Sequence, residues 1–322
     1  MLLNGLILLV LVLLVILFGW LSWRAFHANR VWVRWVGGLL SGLLGLVLLG
    51  VTAVVVFGFY RLNIASYKYT LTDVQVAMTP EQIAVGERYA HGCADCHSST
   101  GNLPLDGSKD NFLAGSPMGV IYAPNLTPGG PLKEWTDGDI IRAIREGVDK
   151  DGRPLVIMPS AAFHSLSDDD VQAIVAYLRS QPAVDRPLPQ RNLSVMAAFF
   201  VAMDSSVISA QEPISAPISA PQPGSTAYGE YLVNSSGCRD CHGAELTGNT
   251  GSDAPPGPNL TVLVPNWSDA DFLAVFNSGI DPDGKTLGEE MPWKSFRKMF
   301  TDEQFTDMYN YLHGLAPVTS SQ

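Results

Sequence analysis

Two long stretches of the chain carry no charge at all. Residues 1–23 are almost continuously Leu, Val and Ile, and residues 36–60 form a second uncharged run. Each is long enough to cross the ~30 Å hydrocarbon layer of a bilayer as a helix. Between them stand Arg24, Arg30 and Arg34 with His27, flanked by Trp20, Trp23, Trp32 and Trp35. Tryptophans mark membrane interfaces and arginines mark the cytoplasmic loop, so residues 1–69 are predicted to be a transmembrane helical hairpin with both ends outside. A cleavable signal peptide is the alternative for the first run. It lacks the basic start and small-residue cleavage site, and its apolar run exceeds the usual ~7 to 15 residues.

Beyond the hairpin the apolar positions recur with helical period. Val171, Ile174, Val175 and Leu178 form one stripe, and Phe305, Met308, Tyr309 and Leu312 another, at spacing i, i+3, i+4, i+7. Ser167 with Asp170, and Thr301 with Gln304, stand ahead of these stripes at the spacing of a capping box. Thr136 and Ser268 open a middle helix in each half, ending near Gly147 and Gly279, and Thr79-Pro80-Glu81-Gln82 opens an earlier one. The fold class is all-α. Residues 185–221 interrupt the pattern. Leu193 to Val201 reads as a short helix packed on a domain or a neighbouring subunit, and Pro213 to Pro221 as an extended Pro-rich spacer or a docking strap.

The four cysteines fall in two copies of Cys-x-x-Cys-His, Cys93 to His97 and Cys238 to His242. This is the attachment signature of c-type haem: two thiols bond the vinyl groups while the adjoining imidazole ligates the iron. Half a zinc site and a thioredoxin-like redox pair are the competing readings. A zinc site would have to be assembled from pairs 145 positions apart, in what read as two similar domains. Further landmarks recur in the same order. Pro124-Asn125-Leu126-Thr127 answers Pro258-Asn259-Leu260-Thr261, Trp135 answers Trp267, Asp151-Gly152 answers Asp283-Gly284, and Met158-Pro159 answers Met291-Pro292.

A haem iron with His on one side needs a second axial ligand, and a thioether both fills that place and favours reduced iron. Met158 and Met291, in matching Met-Pro contexts, are the candidate donors, with His97 and His242 opposite. His91, His164 and His313 are the rivals; His164, six residues past Met158, is the strongest of them.

The ordered set of landmarks resembles class I cytochrome c domains over residues 78–184 and again over 222–316. The resemblance implies two covalently bound haem c groups. It also implies that the carbonyls of Pro124 and Pro258 accept a hydrogen bond from His97 and His242, and that Gly86 and Gly229 allow close approach of Tyr177 and Tyr311 where the terminal helices cross. Two spans followed by two such domains resemble the dihaem subunit of C-family haem–copper oxidases. The internal landmarks are more similar to cytochrome subunits of membrane alcohol and gluconate dehydrogenases, which usually carry three haem motifs and a C-terminal anchor. Alternative complex III assemblies are a further possibility for the parent complex.

Charge completes the picture. Residues 1–69 hold five Lys or Arg and no acid, which leaves 15 basic against 31 acidic residues in the remainder. Nucleic acid is excluded as a partner, and a basic soluble redox protein is favoured alongside plain solubility. The expected protein is a dihaem electron-transfer subunit of a respiratory or photosynthetic complex in the bacterial cytoplasmic membrane, with haem domains on the periplasmic side and no substrate-converting site of its own. A peroxidase or gas sensor with one open iron is the alternative.

Overall fold

The computed structural model describes residues 2–64, 74–249 and 256–318; residues 1 and 65–69 of the expected hairpin lie outside the described residues. Helices α1 (Leu2–Phe26) and α2 (Gly38–Phe59) pair antiparallel, with turns of π-helix at Val33–Gly37 and Tyr60–Ile64. Both are long and apolar enough to cross a membrane. Small residues set their contact: Gly38 lies against Phe26, Gly42 against Ser22 and Gly45 against Phe18 and the backbone of Gly19. In lipid there is no water to drive helices together, so close backbone packing of this kind must do it.

The first globular domain contains α3 (Pro80–His97), α4 (Asp137–Glu146), α5 (Ser160–Phe163) and α6 (Asp168–Ser180). A linker helix α7 (Val195–Met203) follows. The second domain contains α8 (Thr226–Ser235), α9 (Cys238–His242), α10 (Leu260–Leu263), α11 (Asp269–Ser278), α12 (Trp293–Met299) and α13 (Asp302–His313). Local chemistry sets the ends. Thr79 caps α3 with Pro80 in its first turn, complete capping boxes start α4, α11 and α13, and Gly147 and Gly279 take left-handed conformations past α4 and α11. In each domain the first and last helices cross at a glycine. A Cβ on Gly86 would overlap the carbonyl oxygen of Ala173 and crowd the Cβ of Tyr177, and one on Gly229 would do the same to Asp307 and Tyr311.

Several features depart from the local patterns. α3 runs unbroken through His97, whereas the corresponding helix in the second domain breaks at Gly237, whose φ of 77° is left-handed. The capping box expected at Ser167 is half formed: its hydroxyl accepts from the Asp170 amide, but its own amide donates 3.0 Å to the hydroxyl of Tyr231, which in turn donates to the Asp170 carboxylate. A residue of the second domain thus completes a helix cap in the first.

Residues 185–221, expected as a spacer, run as a strap along the first domain. Strand β2 (Asn192–Leu193) pairs antiparallel with β1 (Gly119–Val120). The Ser209 amide donates to Leu155, Ile157 to Val207, Gln211 to Glu146 and Asp168 to Ile218. Loop edges of the first domain leave backbone donors and acceptors open, and an extended segment with few internal hydrogen bonds supplies their partners. Helix α7 packs on the C-terminal end of α2: Ala197, Ala198 and Val201 share a buried cluster with Val55 and Leu62, and Leu113, Met118 and Val156 of the first domain pack against it.

The two domains also grip one another. Met299 of α12 packs on Gly92 of α3, Ser295 Oγ donates 2.8 Å to Asp95, and Lys298 Nζ donates 2.8 Å to Asn102. Tyr89 packs against both cores, and Tyr228 stacks on Tyr231 with ring centres 5.9 Å apart. Burial beside Asp170 pushes the Tyr231 phenol well above its ordinary range, so it stays a neutral donor. Tyr231→Phe should strand the Ser167 amide, leave the Asp170 carboxylate with the Ser167 hydroxyl as donor, and cost about 1–3 kcal/mol. Urea unfolding of the detergent-solubilised protein would read this as a lower midpoint at unchanged slope. An unchanged midpoint would mean that Ser167 and Asp170 satisfy one another.

Candidate haem-attachment sites

Cys93, Cys96 and His97 lie at i, i+3 and i+4 on the last turns of α3, which sets both sulfurs and the imidazole on one side of the helix. Cys238, Cys241 and His242 repeat the arrangement on α9. All four thiols are free, and burial pushes them up, Cys93 to about 12. Among the described residues no group of three or more His, Cys, Asp or Glu could hold a metal ion, so the two Cys pairs do not meet in a zinc site.

Both histidines are buried and fixed by the same bond. His97 Nδ1 donates to the Pro124 carbonyl at 2.9 Å, and His242 Nδ1 to the Pro258 carbonyl at 2.8 Å. A carbonyl only accepts, so Nδ1 carries the proton. Burial holds both imidazoles below their ordinary range, against the opposing pull of the carbonyl. The ring is therefore neutral with an unprotonated Nε2, the state in which histidine ligates a metal.

The prolines are held in turn by a clasp that the sequence pattern marked without explaining. Asn125 Oδ1 accepts from the amide and hydroxyl of Thr127, while its Nδ2 donates 2.8 Å to the Val184 carbonyl beyond α6. Asn259, Thr261 and Val318 make the same bonds in the second domain. The recurrence of Asn and Thr after each proline was the signal for these positioning residues. Their partners, far along the chain, left none.

The Asp-Gly landmarks are tight turns closed by bridges between Val148 and Pro154 and between Ile280 and Thr286. They lead into two methionine turns of the same shape. The Ser160 amide donates 2.8 Å to the Met158 carbonyl across Pro159, and the Trp293 amide donates 2.8 Å to the Met291 carbonyl across Pro292. Pro159 and Pro292 have φ, ψ of −79°, 52° and −80°, 49°. One difference stands out: Ile157, just before Met158, has φ of 72°, a strained conformation for a β-branched residue. Its amide is held by Val207, so the linker strap maintains the first methionine turn.

The rival histidines have neighbours of their own. His91 lies near Lys298 of the second domain. His164 Nδ1 donates 2.9 Å to the Arg145 carbonyl at the end of α4, and His313 is exposed beside Tyr309 at the end of α13. The methionine helices cross between domains. α12, after Met291, packs on the Cys93–His97 turn, and Ala162 of α5, after Met158, reaches 3.8 Å from the place a Cβ would take on Gly237, next to Cys238.

Comparison with known sequences agrees with this duplication. Residues 81–178 match the family described as cytochrome C oxidase, cbb3-type, subunit III, and residues 226–316 match cytochrome c. The chain carries two cytochrome c domains. It is 33% identical over 165 residues to the cytochrome c subunit of alcohol dehydrogenase (quinone) from Gluconobacter oxydans, covering 47% of this chain and 32% of that protein. The like-named subunit of Komagataeibacter europaeus is 27% identical over 272 residues, covering 71% and 54%. The gluconate 2-dehydrogenase cytochrome c subunit of Pantoea cypripedii is 30% identical over 162 residues, covering 48% and 35%. The chain thus spans between about a third and about half of these relatives' length. Both cytochrome c domains fit covalent haem c: free paired thiols, and a neutral buried histidine with one nitrogen committed and the other open. Replacing Cys93 and Cys96 by Ser should leave one covalent haem, read as a halved pyridine-haemochrome yield per chain after denaturing extraction; an unchanged yield would refute the assignment.

Proposed function

We propose that this protein is a membrane-anchored dihaem cytochrome that passes electrons as a subunit of a larger redox complex. The observation that carries this reading is the duplicated clasp: two buried histidines, each fixed through Nδ1 to a proline carbonyl beside two free thiols. When bound, each haem supplies an iron that alternates between Fe(II) and Fe(III). The chain's own part is to hold His97 and His242 neutral and oriented, to present Met158 and Met291 from rigid proline turns, and to keep bulk water away. Fixed ligands keep the structural change on electron transfer small. The crossed packing of α12 on the first attachment turn and of α5 beside the second supports passage of electrons between the two domains.

The named relatives favour a quinone-linked dehydrogenase as the parent complex over an oxidase. Arg24 in the last turn of α1, with Arg30 and Arg34 between α1 and α2, supports a cytoplasmic loop, with both haem domains on the periplasmic side of a two-span anchor. The excess of 31 acidic over 15 basic residues beyond the anchor suits a basic soluble redox protein as the exchange partner.

Met158→Ala and Met291→Ala should each open one iron to carbon monoxide and lower the potential of that haem alone. Spectroelectrochemistry on each variant separates the two sites, and an unaltered ligand spectrum removes that methionine. Extraction in mild detergent, a native gel and mass spectrometry should find the chain co-migrating with a dehydrogenase subunit. Migration alone, with both haems reduced by a soluble donor, would replace the subunit reading with a tethered shuttle.

A further inference from the structure

Helix α7 lies within the stretch that the sequence pattern treated as linker, and all nine of its residues, Val195 to Met203, are apolar. A short helix that is apolar all round belongs in a core or in lipid. Among the described residues only one side of α7 is covered by protein: Ala197, Ala198 and Val201 are buried against Val55 and Leu62, and Gly58 admits the Ala198 carbonyl where any side chain would collide. The opposite side leaves Met196, Phe200 and Met203, at i, i+4 and i+7, exposed by 45%, 52% and 68%.

The level at which α7 is seated identifies what covers that side. Gly58 stands 20 residues beyond Gly38, the first residue of α2. At about 1.5 Å per residue this is about 30 Å, the thickness of the hydrocarbon layer. At the same level Asn4 of α1 donates 2.8 Å to the Leu193 carbonyl at the entrance to α7, and the neighbouring Leu3, Leu6 and Leu9 face outward. Charge follows directly: Arg61 reaches toward the Val201 carbonyl and lies over the Phe57 ring, and Asp204 closes the helix. Apolar side chains on one level and charges at its rim are the arrangement of a bilayer boundary.

We infer that α7 is a third membrane element, a short interfacial helix whose Met196, Phe200 and Met203 insert into the outer lipid leaflet. The linker thereby pins the first cytochrome domain to the bilayer surface. The inference rests on the membrane reading of α1 and α2.

The test uses the full-length, haem-loaded protein in nanodiscs of phosphatidylcholine and phosphatidylglycerol. Haem attachment consumes the native thiols, so a cysteine introduced by Phe200→Cys or Met203→Cys takes a nitroxide label selectively. Val47→Cys on the exposed side of α2 serves as the lipid reference and Ser206→Cys as the aqueous one. Labels at 200 and 203 should resemble the one at 47, with collision by oxygen exceeding collision by a water-soluble nickel chelate. Behaviour like that at 206 would overturn the inference, and so would shielding from both reagents, which would mean that a protein surface covers the helix. A reference at 47 open to the chelate would instead overturn the membrane reading of the hairpin and this inference with it.

Discussion

Everything around each attachment site hangs from one hydrogen bond, histidine Nδ1 to a proline carbonyl. It fixes the tautomer, and with it which nitrogen remains available, and it ties the attachment turn to the loop that carries the proline. The loop is held by Asn125 or Asn259, whose Nδ2 reaches the chain just beyond the last helix of the domain. That helix is itself positioned by the glycine crossing at Gly86 or Gly229. The loop, the attachment turn and the two terminal helices therefore constrain one another. A small domain with little regular core can hold an imidazole in place because the constraint closes on itself.

The same economy appears between the domains. Each domain offers the helix following its methionine turn to the attachment segment of the other, so the repeat is mirrored in the contact as well as in the sequence. Tyr231 extends this into hydrogen bonding by taking the place of the missing half of the Ser167 cap. A buried phenol between a backbone donor and a carboxylate is satisfied only while the domains stay docked. Two rigid sites held in fixed relation suit electron passage, which falls off steeply when a gap opens.

The helices, their caps and the duplicated order of landmarks were legible in the chain because each is written within a few residues: Thr136 with Asp139, Ser268 with Asp271, glycine after the last turn. The two attachment motifs were legible for the same reason, through the recurrence of a short pattern, while the Pro carbonyl partners came from what the resemblance to cytochrome c domains implies. What escaped was set by distant partners. Gly92 and Gly237 occupy equivalent places before the first cysteine, yet one continues a helix against Met299 and the other breaks it. The linker read as a spacer because prolines and small residues carry no period, while its course depends on the open amides and carbonyls of the first domain. Ile157 gave no local sign of its left-handed backbone, which the strap through Val207 imposes.

These long-range contacts put the parts in series. The C-terminal end of α2 meets α7 and, through Leu113 and Met118, the first domain; the first domain meets the second through α3, α6 and the Tyr231 contact. Ile157 is the place where the series reaches the first methionine turn, since the linker that grips α2 through α7 also holds the residue before Met158. A disturbance of the linker on the membrane side thus has a route to the first methionine turn. Among the described residues the second methionine turn has no such link: Glu290 does not have the left-handed backbone of Ile157, and Met291 packs against the second core. The two methionine turns share a sequence pattern but differ in what maintains them, and that difference gives one sequence repeat two mechanical environments.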